Sequence, residues 1–154
     1  MNFKIDLSGI SSKVVNQVNA ELPARAAAAS QELRNASLEV LRGQRSGKRY
    51  IVPGTGRVKY NKKNHTGTIS YKRYTASAPG EPPAVRTGTL RRNWRAIQHG
   101  TNHQNPAIET NVPYAGYLEQ GTSKMAPRPF EQKIIEKAKP KVEAIYAQPY
   151  DINP

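Results

Sequence analysis

Apolar residues recur every three or four positions from Ile10 to Val40, and this periodicity constrains the fold more than any other feature. The series runs Ile10, Val14, Val18, Leu22, Ala26, Ala29, Leu33, Ala36 and Val40. A single stripe on a 3.6-residue period predicts one long helix over residues 8–42. Ser8 or Ser11 can cap its start, Glu21 and Arg25 form an i,i+4 pair, and Gly43 can end it. Pro23 removes a backbone donor and disfavours helical geometry at Leu22, so a kink or a break is expected there. The stripe stays in phase across Pro23, which favours a kinked helix. Much of it is alanine, suited to close packing against another surface such as a second subunit.

The remainder can bury only a modest core. Apolar residues make up 36% of the 154 positions, below the ~45–50% usual for globular domains. A single domain, residues 1–154, is expected, burying roughly 70% of its unfolded surface. The absence of cysteine excludes a disulfide framework and thiolate metal sites, and suits a reducing compartment. The opening MNFKIDLSGI has no apolar h-region, and the longest wholly apolar run, residues 26–29, is far short of a membrane span. A soluble protein made inside the cell, with no membrane partner, is the expectation.

The formal net charge is +13, and all of the excess sits in one third of the molecule. Residues 42–95 hold fourteen Lys and Arg against one acid, Glu81, and the rest of the chain is balanced. Such a patch attracts phosphate backbones or an acidic protein surface through the same Coulomb field. Within it, residues 45–75 read as a basic β arm carrying Arg45, Lys48, Arg49, Arg57, Lys59, Lys62, Lys63, Lys72 and Arg73. Residues 50–52 and 57–60 are predicted to pair as a hairpin around Pro53-Gly54-Thr55-Gly56. A second turn region over 61–67 leads to a strand at 68–75, where Ile69 and Tyr71 alternate with Ser70 and Lys72. Few aliphatic residues fall in the arm, so a partner is needed to order it.

Residues 76–130 form a core rich in stiff turns. Pro79, Pro82 and Pro83 fix φ in a loop ending at Gly88. Residues 93–98 and 107–112 read as an antiparallel pair with Trp94, Ala96 and Ile108 on its core face. Residues 114–119 read as a helical turn ending at Gly121. A last helix, residues 129–147, starts at Pro129 and presents Phe130, Ile134, Ala138, Val142 and Ile145 on one face, with Pro140 bending or splitting it. The fold class is α+β: a long kinked N-terminal helix, a small antiparallel sheet with a basic β-hairpin arm, and a C-terminal helix.

Catalytic and metal chemistry finds little footing. Gly54-Thr55-Gly56 followed by Lys59 lacks the core strand and helix of a phosphate loop. His99 and His103 have helical metal-pair spacing but lie in a Gly/Asn-rich loop with no third ligand near. Glu119 has no acid or histidine partner in its own segment, and a salt bridge to Arg128 or Arg86 is the expected role. No enzyme activity, cofactor or metal is expected. Tyr50, Tyr60, Tyr71 and Tyr74 amid the cations leave a base-stacking surface open as one reading, and cross-strand tyrosine pairs as the other.

Two blocks are more specific: SAPGEPPAVRTGTLRRNW at residues 77–94 and PYAGYLEQGTSKMAPRPF at 113–130. Together they resemble the small tail-completion or neck proteins, the head–tail joining family, of long-tailed bacteriophages. The matching positions are Ala78-Pro79-Gly80-Glu81-Pro82-Pro83, Thr87-Gly88 and Leu90-Arg91, then Pro113-Tyr114-Ala115, Tyr117, Glu119, Gly121-Thr122 and Arg128-Pro129-Phe130. Both terminal helices also fit the family layout, whereas the arm is longer and more charged than the family pattern. The resemblance implies a virion structural protein, made in the host cytoplasm, that completes the tail and helps join it to the head. It implies a homo-oligomeric ring, expected to be a hexamer, meeting other neck and tail-tube proteins, and leaves contact with DNA in the channel open. The contact residues it suggests are Arg86, Leu90, Arg91, Tyr114, Tyr117, Glu119, Arg128 and Phe130. A ring requires two different faces to meet, and pre-ordered loops bearing Tyr and Arg suit that task. The alternative is a small basic nucleic-acid-binding protein.

Overall fold

The computed structural model describes residues 8–101, 103 and 105–150. The proposed Ser8 and Ser11 caps, and the leader reading of residues 1–7, lie outside the described residues and side chains. The architecture is α+β, in the order α1 (Ser8–Val40), β1 (Arg49–Ile51), β2 (Arg57–Asn61), β3 (Thr66–Ser70), β4 (Arg73–Thr75), α2 (Thr89–Arg92), β5 (Trp94–His99), β6 (Asn105–Thr110), α3 (Ala115–Gln120) and α4 (Glu131–Tyr146). Among the described residues no helix is long and apolar enough to cross a membrane. The chain divides into two compact units. One takes the chain up to Ala36, Trp94–Thr110 and the segment from Ile134; the other takes Ser37–Asn93 and Asn111–Lys133.

In the first unit, α1 runs unbroken through Pro23. Pro23 costs one helical hydrogen bond, while its own carbonyl accepts from Gln98 Nε2 at 3.2 Å. Apart from Arg25, the buried positions of α1 in this unit, Ala26, Ala29, Ser30 and Ala36, are all small, so other backbone can approach the helix closely. Ser30 shows the consequence. Its hydroxyl lies 2.6 Å from the Ile97 carbonyl and 2.8 Å from that of Ala26, and it accepts the Ala107 N–H at 3.2 Å. Arg34 Nε adds a bond to the Trp94 carbonyl at 3.0 Å. The β5–β6 hairpin pairs Trp94 with Thr110 through His99 with Asn105. Of its expected core face, Trp94 and Ile108 are half-buried, but Ala96 is exposed. Ser30 meets the backbone at Ile97 instead, so a hydrogen bond rather than an apolar side chain seats this strand.

The final helix buries Ile134 and Ala138 of the expected stripe, leaves Val142 and Ile145 half-buried, and is not split by Pro140. Its last turn holds no basic residue, leaving its terminal carbonyls without a cation of their own. Arg25 of α1 supplies one. Its guanidinium reaches the Gln148 and Pro149 carbonyls, the latter at 2.7 Å, lies within 3.5 Å of those of Ile145 and Tyr146, pairs with Glu21 at 3.0 Å, and stacks 3.8 Å over the Tyr150 ring. A lysine has no planar fork with which to do this.

Ser30→Ala removes the donor to Ile97 and the side-chain acceptor of the half-buried Ala107 N–H. It is expected to cost about 1–3 kcal/mol, read as a lower urea midpoint at unchanged m-value. An unchanged midpoint overturns this account of how the hairpin is seated.

Candidate interaction surface

The second unit contains both sequence blocks, Trp94 excepted, and the basic arm, and its backbone explains the blocks' composition. Pro82 and Pro83 are buried. Gly88 (φ 81°) precedes the short α2, and Gly121 (φ 78°, ψ −177°) ends α3 in a region open essentially to glycine alone. Beyond Gly121 the chain doubles back, with Thr122 and Met125 exchanging backbone bonds at 2.8 and 3.1 Å. That reversal returns Arg128 N–H to the Leu118 carbonyl at 2.7 Å. It also brings the Glu119 carboxylate to the start of α4, where Oε2 accepts from Phe130 N–H at 2.8 Å and Glu131 N–H at 3.3 Å. Glu119 is therefore the acceptor for orphan donors at a helix start. The expected ion pair with Arg128 or Arg86 is not its role.

The two blocks are sewn to each other. Gly80 N–H donates to Pro127 at 3.1 Å, Arg128 Nη1 to the Ser77 carbonyl, and Lys133 Nζ to the Gly80 carbonyl at 3.1 Å. Glu81 then fastens the arm to this frame. Its carboxylate accepts from Ser46 Oγ at 2.6 Å, Ser46 N–H at 3.1 Å and Ala78 N–H at 2.8 Å. These bonds, the Ser46 hydroxyl foremost, hold its pKa down at about 2 from an ordinary 4.5. Arg45, expected to belong to the basic surface, is turned inward. It donates to the Val40 carbonyl at 2.8 Å, closing the end of α1, and to the Pro83 carbonyl at 3.2 and 3.3 Å.

The arm's pairing differs from the sequence expectation. The segments 50–52 and 57–60 do not pair with each other. Instead β1 pairs with β4 and β2 with β3, both antiparallel. The predicted strand over 68–75 is likewise cut in two at Tyr71–Lys72. The arm is one long hairpin whose tip lies in residues 62–65, with residues 52–56 bulging opposite Tyr71 and Lys72. Pro53 has no N–H to give a ladder. Thr55 fills the gap, donating to the Val52 carbonyl at 2.6 Å and accepting Lys72 N–H at 3.1 Å. At the base, the Tyr50 and Tyr74 rings stack at 5.8 Å. Every residue of β1, β2 and β3 is exposed.

The remaining site residues separate into two groups. Leu90 and Phe130 are buried, at 8% and 4% exposure, and act inside the unit rather than on a partner. Arg91 donates to the Leu38 carbonyl at 3.2 Å. Tyr114, Tyr117 and Arg86 are exposed, as are Lys48, Arg49, Arg57, Lys59, Lys62, Lys63, Lys72 and Arg73. Tyr114 and Arg86 join Val85 beside a groove of about 410 Å³ floored by Leu41, Pro83, Leu90 and Leu118. Sequence reasoning missed this groove, and missed Ser46 and Thr55 as the ties of the arm. Among the described residues no group of three or more His, Asp or Glu is placed to hold a metal. No protein-family model, curated protein or solved structure matches the chain.

Glu81 sets an acid limit. Because its folded pKa is depressed, its stabilisation is complete above the ordinary carboxyl pKa of 4.5 and is lost as pH falls toward about 2. Glu81→Gln is expected to flatten the fall in melting temperature across that window, and superimposable acid limbs refute the latch. At Gly121 an added Cβ would lie 2.8 Å from both Met125 O and Pro127 N. Gly121→Ala is therefore expected to cost at least about 2 kcal/mol. Gly116→Ala, within α3 where a Cβ meets nothing within 4 Å, is expected to stabilise by up to about 1 kcal/mol in the same denaturation assay.

Proposed function

We propose that this chain is a non-enzymatic structural subunit of a bacteriophage neck or tail end, in which copies close into a ring, taken as a hexamer, that completes the tail and helps join it to the head. The observation that carries the reading is the arm of residues 45–75, with eight exposed Lys and Arg and no Asp or Glu, latched by Glu81 and Arg45 to a frame of locked turns. That combination suits docking. The frame loses little conformational entropy on contact, while the arm offers a one-signed field to an anionic neighbour. The likeness of both blocks to the tail-completion family supplies the setting. Tyr114 and Tyr117, exposed at 42% and 64%, with Arg86 are the side chains offered to adjacent subunits. The arm is assigned to an anionic partner, either an acidic face of a neighbouring ring or DNA in the channel.

The test combines mass measurement and negative-stain imaging of the purified protein, alone and mixed with tail tubes. A closed ring, free or on the tube end, is the expected result. Lys62→Glu with Lys63→Glu, at the tip of the arm, is expected to leave the fold and the ring intact while blocking the joining of heads to tails. A protein that stays monomeric with tail tubes present overturns the assembly reading. Normal virion yield from the reversal variant removes the arm from it.

A further inference from the structure

The outer ribbon of the arm sorts its side chains by chemistry. Side chains alternate between the two faces of a strand, and directly paired residues share a face. The β2–β3 register pairs Arg57 with Ser70, Lys59 with Thr68 and Asn61 with Thr66 on one face, and Val58 with Ile69 and Tyr60 with Gly67 on the other. The glycines confirm the second face: a Cβ on Gly67 would meet Val58, and one on Gly56 would meet Ile69 and Tyr71. One face thus carries only cations, hydroxyls and an amide, and the other carries every apolar and aromatic residue of the ribbon. The Asn61 side chain accepts the Lys63 N–H at 3.0 Å, shaping a tip that adds Lys62 and Lys63.

We propose that the Arg57–Lys59 face of this ribbon, with the Lys62–Lys63 tip, binds the phosphate backbone of duplex DNA. Three observations favour that partner. First, Arg, Lys, Ser, Thr and Asn are among the side chains that contact phosphate and sugar oxygens, and this face holds no others. A protein interface of the usual kind has an apolar centre depleted of charge, and this face has no apolar side chain at all. Second, single-strand binding needs aromatic platforms among the cations. Tyr60 lies on the opposite face, its hydroxyl 3.1 Å from His65 Nδ1, Tyr71 shares that face, and Tyr50 and Tyr74 are stacked on each other. Third, a two-stranded ribbon is narrow enough to enter a major groove about 12 Å wide, and both faces of this one are uncovered within its unit.

The inference deepens the assembly reading and rests on it only for where DNA would be met. Binding of the intact protein to a short mixed-sequence DNA duplex is measured by fluorescence anisotropy from about 50 to 200 mM salt. Four cations predict a slope of log K against log salt of about −4. Lys62→Ala with Lys63→Ala is expected to reduce its magnitude by about 2, and Arg57→Ala with Lys59→Ala by the same amount. Val58→Ser with Ile69→Ser, on the opposite face, is expected to leave the slope unchanged, with circular dichroism verifying the fold of each variant. Absence of salt-dependent binding, or slopes indifferent to the cation variants, overturns the proposal. So does tighter binding to a single strand that is lost with Tyr60→Ala and Tyr71→Ala, or stronger retention on polyglutamate than on duplex at equal salt, which assigns the arm to an acidic protein. Mass measurement on the same samples separates the two readings. A ring without duplex binding sinks this inference alone, and duplex binding by a permanent monomer sinks the assembly reading alone.

Discussion

Hydrogen bonds from arginine to distant backbone carbonyls are what the rest of this structure depends on. Arg25 closes the end of α4, Arg34 holds the Trp94 carbonyl, and Arg45 joins Val40 to Pro83. Arg91 holds Leu38 and Arg128 holds Ser77. In each case the acceptor is a carbonyl at a helix end, a strand end or an irregular loop, where regular backbone pairing gives out. A chain with 36% apolar residues cannot rely on burial alone to fix such segments. A guanidinium carries five donors in a planar fork and remains charged when partly buried. It can satisfy several carbonyls that a small core leaves open.

This use of arginine changes the meaning of the net charge. Read along the sequence, residues 42–95 form one cationic patch. In the folded chain Arg45 and Arg91 are spent on internal carbonyls, and Arg92 donates to the Thr87 carbonyl at 3.1 Å. All five lysines of this segment stay exposed, and eight of the eleven exposed cations left over, five Lys and three Arg, lie on the arm. The division follows from chemistry: lysine is a compact, strongly hydrated charge on a flexible stem, suited to an open surface, whereas arginine is the cation that tolerates an enclosed carbonyl cluster. The patch is therefore smaller and more sharply placed than composition implies.

Elements built on apolar periodicity were legible in the sequence; those built on polar closure were not. The stripes of α1 and α4 appear as spacing, and the phase carried across Pro23 correctly argues against a broken helix. The β5–β6 pair shows as two short runs around a polar loop. The arm misleads because Pro53-Gly54 is a strong local turn signal, yet Thr55 and Lys72 make it a bulge within a longer hairpin. Which strands pair depends on the tip at Asn61–Lys63 rather than on the Pro-Gly pair. Glu119 was misassigned for a related reason. Its bond to Phe130 N–H spans eleven positions and exists only because Gly121 reverses the chain. The clue was negative: the residues just before α4, Arg128-Pro129-Phe130, include none of the usual capping types, so an acceptor had to come from elsewhere.

The arm's physical character follows from how its restraint is graded. At its base the β1–β4 ladder is extended by bonds between Gly47, Lys48 and Ala76, latched by Glu81, and steadied by the Tyr50–Tyr74 stack. Past the Thr55 tie only the β2–β3 ribbon remains, and an isolated two-stranded hairpin is marginally stable in water. Its cations are arranged to add no further strain. Arg57 and Lys59 both lie on β2, each opposite a hydroxyl of β3 rather than another cation, which avoids the direct like-charge pairs that destabilise a sheet. The result is a positive edge carried on a stiff stalk whose outermost part has almost nothing in its own unit to bury. A segment of that kind gains most of its free energy from what it touches. Placing it on a base anchored by buried prolines and a low-pKa carboxylate allows contact at the tip without disturbing the unit that bears it.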